Sequence, residues 1–184
     1  MKITTTDTHL AAIYYDVLLE HARIKPITAI RYKQVIKRAR LLHPNDDIVA
    51  SAIPVSIGRR LDLIVEFVRL NQLPPLTCIV VNETGKPGDN FKIVGESWEA
   101  DMHAVAEHDW AVWKGKWDFY MQATNKGAIK LTRRKENIAL EMVHDEYRAG
   151  KIPKLSDAKK VQLVTLLMDG LSMDDAVQEI SSVV

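Results

Sequence analysis

Ser56-Ile57-Gly58-Arg59-Arg60-Leu61, followed by Leu73-Pro74-Pro75-Leu76-Thr77-Cys78-Ile79-Val80-Val81-Asn82, is the passage that decides the fold. In its first half Ile57, Leu61, Ile64, Val65 and Val68 recur at the spacing of one helix face. Pro54 and Ser56 open that helix, and Asn71 with Pro74-Pro75 stops it. Leu76 to Val81 is a short β-prone run, and Asn82-Glu83-Thr84-Gly85-Lys86-Pro87-Gly88 is rich in turn formers. With Phe91-Lys92-Ile93-Val94 beyond the turn, the second half reads as a β-hairpin.

Upstream, Asp7 or Thr8 caps a helix whose apolar stripe is Leu10, Ile13, Tyr14, Val17 and Leu18. Thr28 caps a second, with Tyr32, Val35, Ile36 and Ala39 inward. Three helices and then a hairpin is the winged-helix arrangement. Downstream, Ser97 or Glu99 starts a helix that reaches Trp110, and the aromatic, basic stretch Trp113 to Tyr120 follows. Three further helical segments complete the chain. Their expected inward residues are Ala139, Leu140, Val143 and Tyr147, then Val161, Val164, Leu167 and Met168, then Ala176, Val177 and Ile180. Gly150 and Gly170 close the first two. The expected class is mainly α with a small β-hairpin: a winged-helix-like domain over 1–122 and a helical unit over 123–184. The boundary falls between Met121 and Ile129, where no clear helical pattern stands.

The chain has 184 residues and a formal net charge of +1, which by itself names no partner. No run of eighteen apolar residues suggests a membrane span, and the first seven residues do not read as a signal peptide. Cys78 is the only cysteine, so neither a disulfide framework nor a zinc site of cysteines is expected, and a cytoplasmic setting fits. Charge distribution says more than its sum. Arg23 to Arg40 holds seven basic residues and no acid, and Lys114 to Lys135 is basic with Asp118 its one acid. Two basic blocks in a near-neutral chain suit a positive face for nucleic acid, or simply two solvated helix faces.

From the helix to the strand, the order of Ile57-Gly58-Arg59-Arg60-Leu61, Leu73-Pro74-Pro75-Leu76, Cys78, Gly85 and Phe91 resembles the DNA-binding domain of DNA alkyltransferases and alkyltransferase-like proteins. Pro26-Ile27-Thr28 sits where that family enters its second helix, and the resemblance covers roughly residues 12 to 91. It implies a helix-turn-helix scaffold on DNA. The family's Pro-Cys-His-Arg centre is absent, since Thr77 precedes Cys78 and Ile79-Val80 follow it, and Val55 stands where the family carries its base-gap arginine. Alkyl transfer is therefore not implied, and Cys78 reads as a buried, inert thiol.

Candidate DNA contacts are Arg31, Lys33, Lys37, Arg38 and Arg40 on the second helix, and Ser56, Arg59 and Arg60 on the third. Lys86 in the hairpin turn completes the set. Asp62 and Glu66 share the third helix, so an ordinary surface helix is the alternative there. His103, Glu107 and His108 lack a third ligand at a known spacing and read as a solvated helix rather than a metal centre. Trp113, Trp117, Phe119 and Tyr120, with Lys114 and Lys116, either stack bases or pack the tail. Residues 156–180 outline a helix-turn-helix, but Asp174, Asp175 and Glu179 keep its second helix from a phosphate-lined groove. The expectation is a non-enzymatic DNA-binding regulator or accessory protein of a bacterium, phage or mobile element, without metal or cofactor. Double-stranded DNA is its expected partner, and residues 134–184 serve a homodimer or protein partner. The alternative is an inhibitor or adaptor that binds another protein and no DNA.

Overall fold

In the computed structural model, which describes residues 2–88 and 91–182, the chain is mainly helical with one small β element. Helix α1 (Thr5–Ala22) buries far more than one stripe: Leu10, Ala11, Ile13, Tyr14, Tyr15, Val17, Leu18 and Leu19 are all inside. A helix that is apolar around most of its circumference is a central helix, and here the other elements of its unit cover it. Helix α2 (Tyr32–Leu42) turns Val35, Ile36 and Ala39 inward, as its periodicity predicts. The short α3 (Asp47–Ala50) is capped by Asp46, whose Oδ1 accepts from the N–H groups of Ile48 and Val49 at 2.9 and 3.0 Å.

Helix α4 (Ile57–Leu70) follows a 3₁₀ turn at Pro54–Ser56. It buries Ile57, Leu61, Leu63, Ile64, Phe67 and Val68, whereas Val65, expected inside, is exposed. Its end is a Schellman motif: Leu73 N–H donates to Val68 at 2.8 Å and Gln72 N–H to Arg69 at 3.2 Å. Gln72 occupies the left-handed position, with φ 55°.

The small β element differs from the expected hairpin. Leu76–Ile79 is a 3₁₀ turn, and β2 (Val80–Val81) pairs in parallel with β1 (Ile30–Arg31), Ile30 against Val80 and Arg31 against Val81. Phe91 to Val94 form no strand. The Val94 and Gly95 N–H groups donate instead to the buried carboxylate of Asp101, at 2.9 and 2.7 Å. A side chain thus satisfies donors that a hairpin partner would need. Asp101 lies on α5 (Trp98–Glu107), which Ser97 caps through Ala100 N–H. Trp98 Nε1 donates to the Cys78 carbonyl at 2.7 Å.

Helix α6 (Lys114–Gly127) runs through the stretch expected to be a boundary. Trp117 fixes it, stacking on Tyr15 at 4.1 Å between centroids and meeting Phe67 edge-on at 5.0 Å. Tyr120 joins Phe67 at 5.5 Å, so Trp117 and Tyr120 pack α6 within its own unit, not the tail onto it. Residues 7–128 form one unit, and the division after Ala128 lies within the stretch between Met121 and Ile129.

The second unit joins residues 129–184 to 1–6. Thr5 N–H donates to Ile129 at 3.1 Å, Ile129 N–H to Ile3 at 2.9 Å, and Lys2 pairs with Asp175 at 2.7 Å. Its helices are α7 (Glu136–Arg148), α8 (Asp157–Met168) and α9 (Met173–Ser182). They close over Ala139, Val143, Leu163, Leu166, Leu167, Ala176 and Ile180. Leu140 and Val161, expected inward, are exposed. Arg134 Nη1 donates to the carbonyls of Leu167 and Leu171 at 2.9 and 2.8 Å, satisfying acceptors at the end of α8. Among the described residues no helix is long and apolar enough to cross a membrane.

Candidate nucleic-acid interface

Arg59 and Arg60 are not on an exposed face. Their side chains are 6% and 2% exposed, and both converge on the carboxylate of Asp7, itself 1% exposed, in the first turn of α1. Arg59 Nη2 donates to Asp7 Oδ2 at 2.6 Å and its Nε to Oδ1 at 3.3 Å, while Arg60 Nε lies 3.2 Å from Oδ1. Arg60 Nη1 also donates to the Ser56 carbonyl at 2.5 Å. Ser56 is buried too, its hydroxyl on the Ile53 carbonyl. The two arginines tie α4 to α1, and Ser56 is held locally at the start of α4, so none of the three stands on an exposed face. The physical reason is that the aliphatic stems of two arginines fit the apolar seam, while their guanidinium groups share the Asp7 carboxylate, which offsets part of their charge.

The cations of α2, and Arg31 of β1 just before it, remain at the surface. Arg31, Lys33, Lys37, Arg38 and Arg40 are all exposed. Lys33 and Lys37 stand four apart and share one face. Arg40 turns back, donating to the carbonyls of Val49 at 3.4 Å and Ala52 at 2.6 Å, and so serves the turn after α3. Acids remote in sequence answer part of the basic block. Glu20 binds Arg38 through both oxygens, Glu83 lies 3.3 Å from Lys33, and Glu107 lies 2.6 Å from Lys25. Hydrogen bonds from Arg38 hold the Glu20 carboxyl below its ordinary pKa, and the bond from Lys25 does the same for Glu107. All three pairs are solvent-facing, so each is weak and a polyanion can displace it.

Lys86 comes to this face through the backbone. Pairing of β2 with β1 starts the 82–88 turn at the foot of α2. Asn82 Oδ1 accepts from Thr84 N–H at 2.9 Å, Thr84 Oγ1 at 2.6 Å and Lys86 N–H at 3.2 Å, while Asn82 N–H donates to the Lys86 carbonyl at 2.8 Å. Gly88 then passes Tyr32 so closely that a Cβ there would lie 2.7 Å from the tyrosine oxygen. Arg31, Lys33 and Lys86, read separately from the sequence, thereby come to one end of α2.

Cys78 is fully buried, and desolvation, with the Asp101 charge adding to it, pushes its thiol up to about 12. Glu107 is engaged by Lys25, and His108 packs against the rings of Trp110 and Trp113. Among the described residues no group of three or more His, Cys, Asp or Glu is placed to hold a metal ion. The residues that sequence reasoning missed are the acids: Asp7 as the arginine partner, and Glu20 and Glu83 as surface counter-charges. Local sequence carries no signal for them beyond Asp7 lying in a first helical turn.

No family model matches the chain, and neither a curated protein nor a solved structure matches it.

Proposed function

We propose that this chain binds nucleic acid through the phosphate backbone, without catalysis and without reading bases in a groove. Its surface would be the outer side of α2, with Lys33, Lys37 and Arg38, extended by Arg31 of β1 and by Lys86 of the neighbouring turn. One observation supports this most: the parallel β1–β2 pair gathers cations from two distant segments beside one helix. Burial of Arg59 and Arg60 removes the side chains that would have read base edges, which leaves a contact of the sequence-independent kind. Fluorescence anisotropy with labelled duplexes of unrelated sequence, across a salt series, tests this. Similar affinities that fall with salt, and fall further in Arg31→Ala/Lys37→Ala/Lys86→Ala, are expected. Binding that ignores this triple variant refutes the proposal.

A second role, contact with a protein partner or another copy through residues 134–184, is favoured by exposed Ile138, Leu140 and Val161 in that unit. Sedimentation of wild type against Leu140→Asp/Val161→Asp checks it, and equal masses without partner binding would set it aside.

A further inference from the structure

We infer that the outer face of α6 is a stacking platform for a single-stranded nucleic acid, a second contact surface that rests on the nucleic-acid reading above but not on α2. Trp117 and Phe119 are two residues apart and so project from opposite sides of the helix. Trp117 is buried against Tyr15 and Phe67, whereas Phe119 is 73% exposed. On the side of Phe119 lie Lys116, three residues before it, and Lys126, seven after it, both exposed. Lys116 to Lys126 covers about 15 Å of helix at about 1.5 Å per residue.

The charges on this face match a polyanion. The ammonium of Lys116 sits 4.3 Å from the centroid of the Trp113 ring, which steadies the cation without neutralising it. The nearby acid, Asp118, is engaged by Lys114 at 2.9 Å, and Asp16 lies 3.6 Å from the same ammonium. An apolar protein partner would cover Phe119 but leave Lys116 and Lys126 without counter-charge. A duplex supplies phosphates, yet its bases already stack on one another. A single strand supplies both a free base face for the ring and phosphates for the lysines.

The test is anisotropy of the full chain with labelled oligo(dT) and with duplex DNA at low salt. It compares wild type, Phe119→Ala, Phe119→Trp and the α2 triple variant. Phe119→Ala is expected to weaken oligo(dT) binding roughly tenfold while duplex affinity stays, and Phe119→Trp to retain it. Equal oligo(dT) affinity in wild type and Phe119→Ala, or no oligo(dT) binding at all, overturns the inference. Hydrophobic-dye binding that drops in Phe119→Ala while oligo(dT) affinity stays would give the face to an apolar partner and overturn it too. The α2 variant separates the two claims: duplex binding that survives it sinks the α2 reading alone.

Discussion

Asp7 is one carboxylate shared by two guanidinium groups inside the protein, and that arrangement is costly to break. Removing the partner of a buried charge costs about 3–5 kcal/mol, because the remaining charge has lost its compensation in a dry site. Asp7→Ala should lower stability to urea by that amount. Arg60→Ala should lower it too, since it also gives up the bond to the Ser56 carbonyl. A loss under about 1 kcal/mol, the worth of a surface pair, would mean the arginines reach water and belong on the exposed face after all. Cys78 offers a second check. Its thiol, pushed up to about 12 by burial, should resist a disulfide reagent at pH 8 in the native protein and react at once in denaturant. The sign for stability follows. The folded thiol holds its proton while the unfolded one loses it near the ordinary value of about 8.5, so this contribution is complete below that pH and declines above it. Fast native labelling would contradict the burial.

Helix by helix, the sequence was readable where one face alone is buried. α2 shows its inward Val35, Ile36 and Ala39 plainly. The buried face of α4 is slightly rotated from its apolar stripe, because Phe67 and the arginine stems take the core positions and leave Val65 exposed. The hairpin was not readable, for pairing is a choice among distant segments. Ile30–Arg31 is the strand that pairs with β2, and Asp101 accepts from the N–H groups of Val94 and Gly95 beyond the turn. α6 hid its second half because what holds it there is tertiary: Met121 is buried, and Asn125 Oδ1 accepts from the Thr8 hydroxyl of α1 at 2.7 Å. The helix ends yield a paired prediction. Gln72 holds a left-handed conformation at the end of α4, where an L side chain pays about 1 kcal/mol, so Gln72→Gly should raise thermal stability by about 0.5–1 kcal/mol. Gly170 ends α8 with φ 99°, and a Cβ there would meet the Thr132 carbonyl oxygen at 2.6 Å. Gly170→Ala should therefore destabilise by more than the glycine at 72 gains, and calorimetry on the two variants reads both signs.

For the molecule as a whole, a net charge of +1 argues against long-range attraction to a polyanion, so any binding must come from how charges are grouped. Within residues 7–128, the acids Asp16 and Glu20 lie one turn apart on α1, answering Lys114 of α6 and Arg38 of α2. The basic helices thus flank a common acidic edge, which limits how many phosphates one ligand can meet at once. Five α2-side cations, Arg31, Lys33, Lys37, Arg38 and Lys86, set the ceiling for duplex contact. At about 0.9 counterions released per contacted phosphate, the slope of log K against log salt should be no steeper than about −4.5. Each cation removed should flatten it by about 0.9, whatever the duplex sequence. Lys114→Ala should leave that duplex slope unchanged, because its charge is held between Asp16 and Asp118. A slope far steeper than this ceiling would require further cations at the contact.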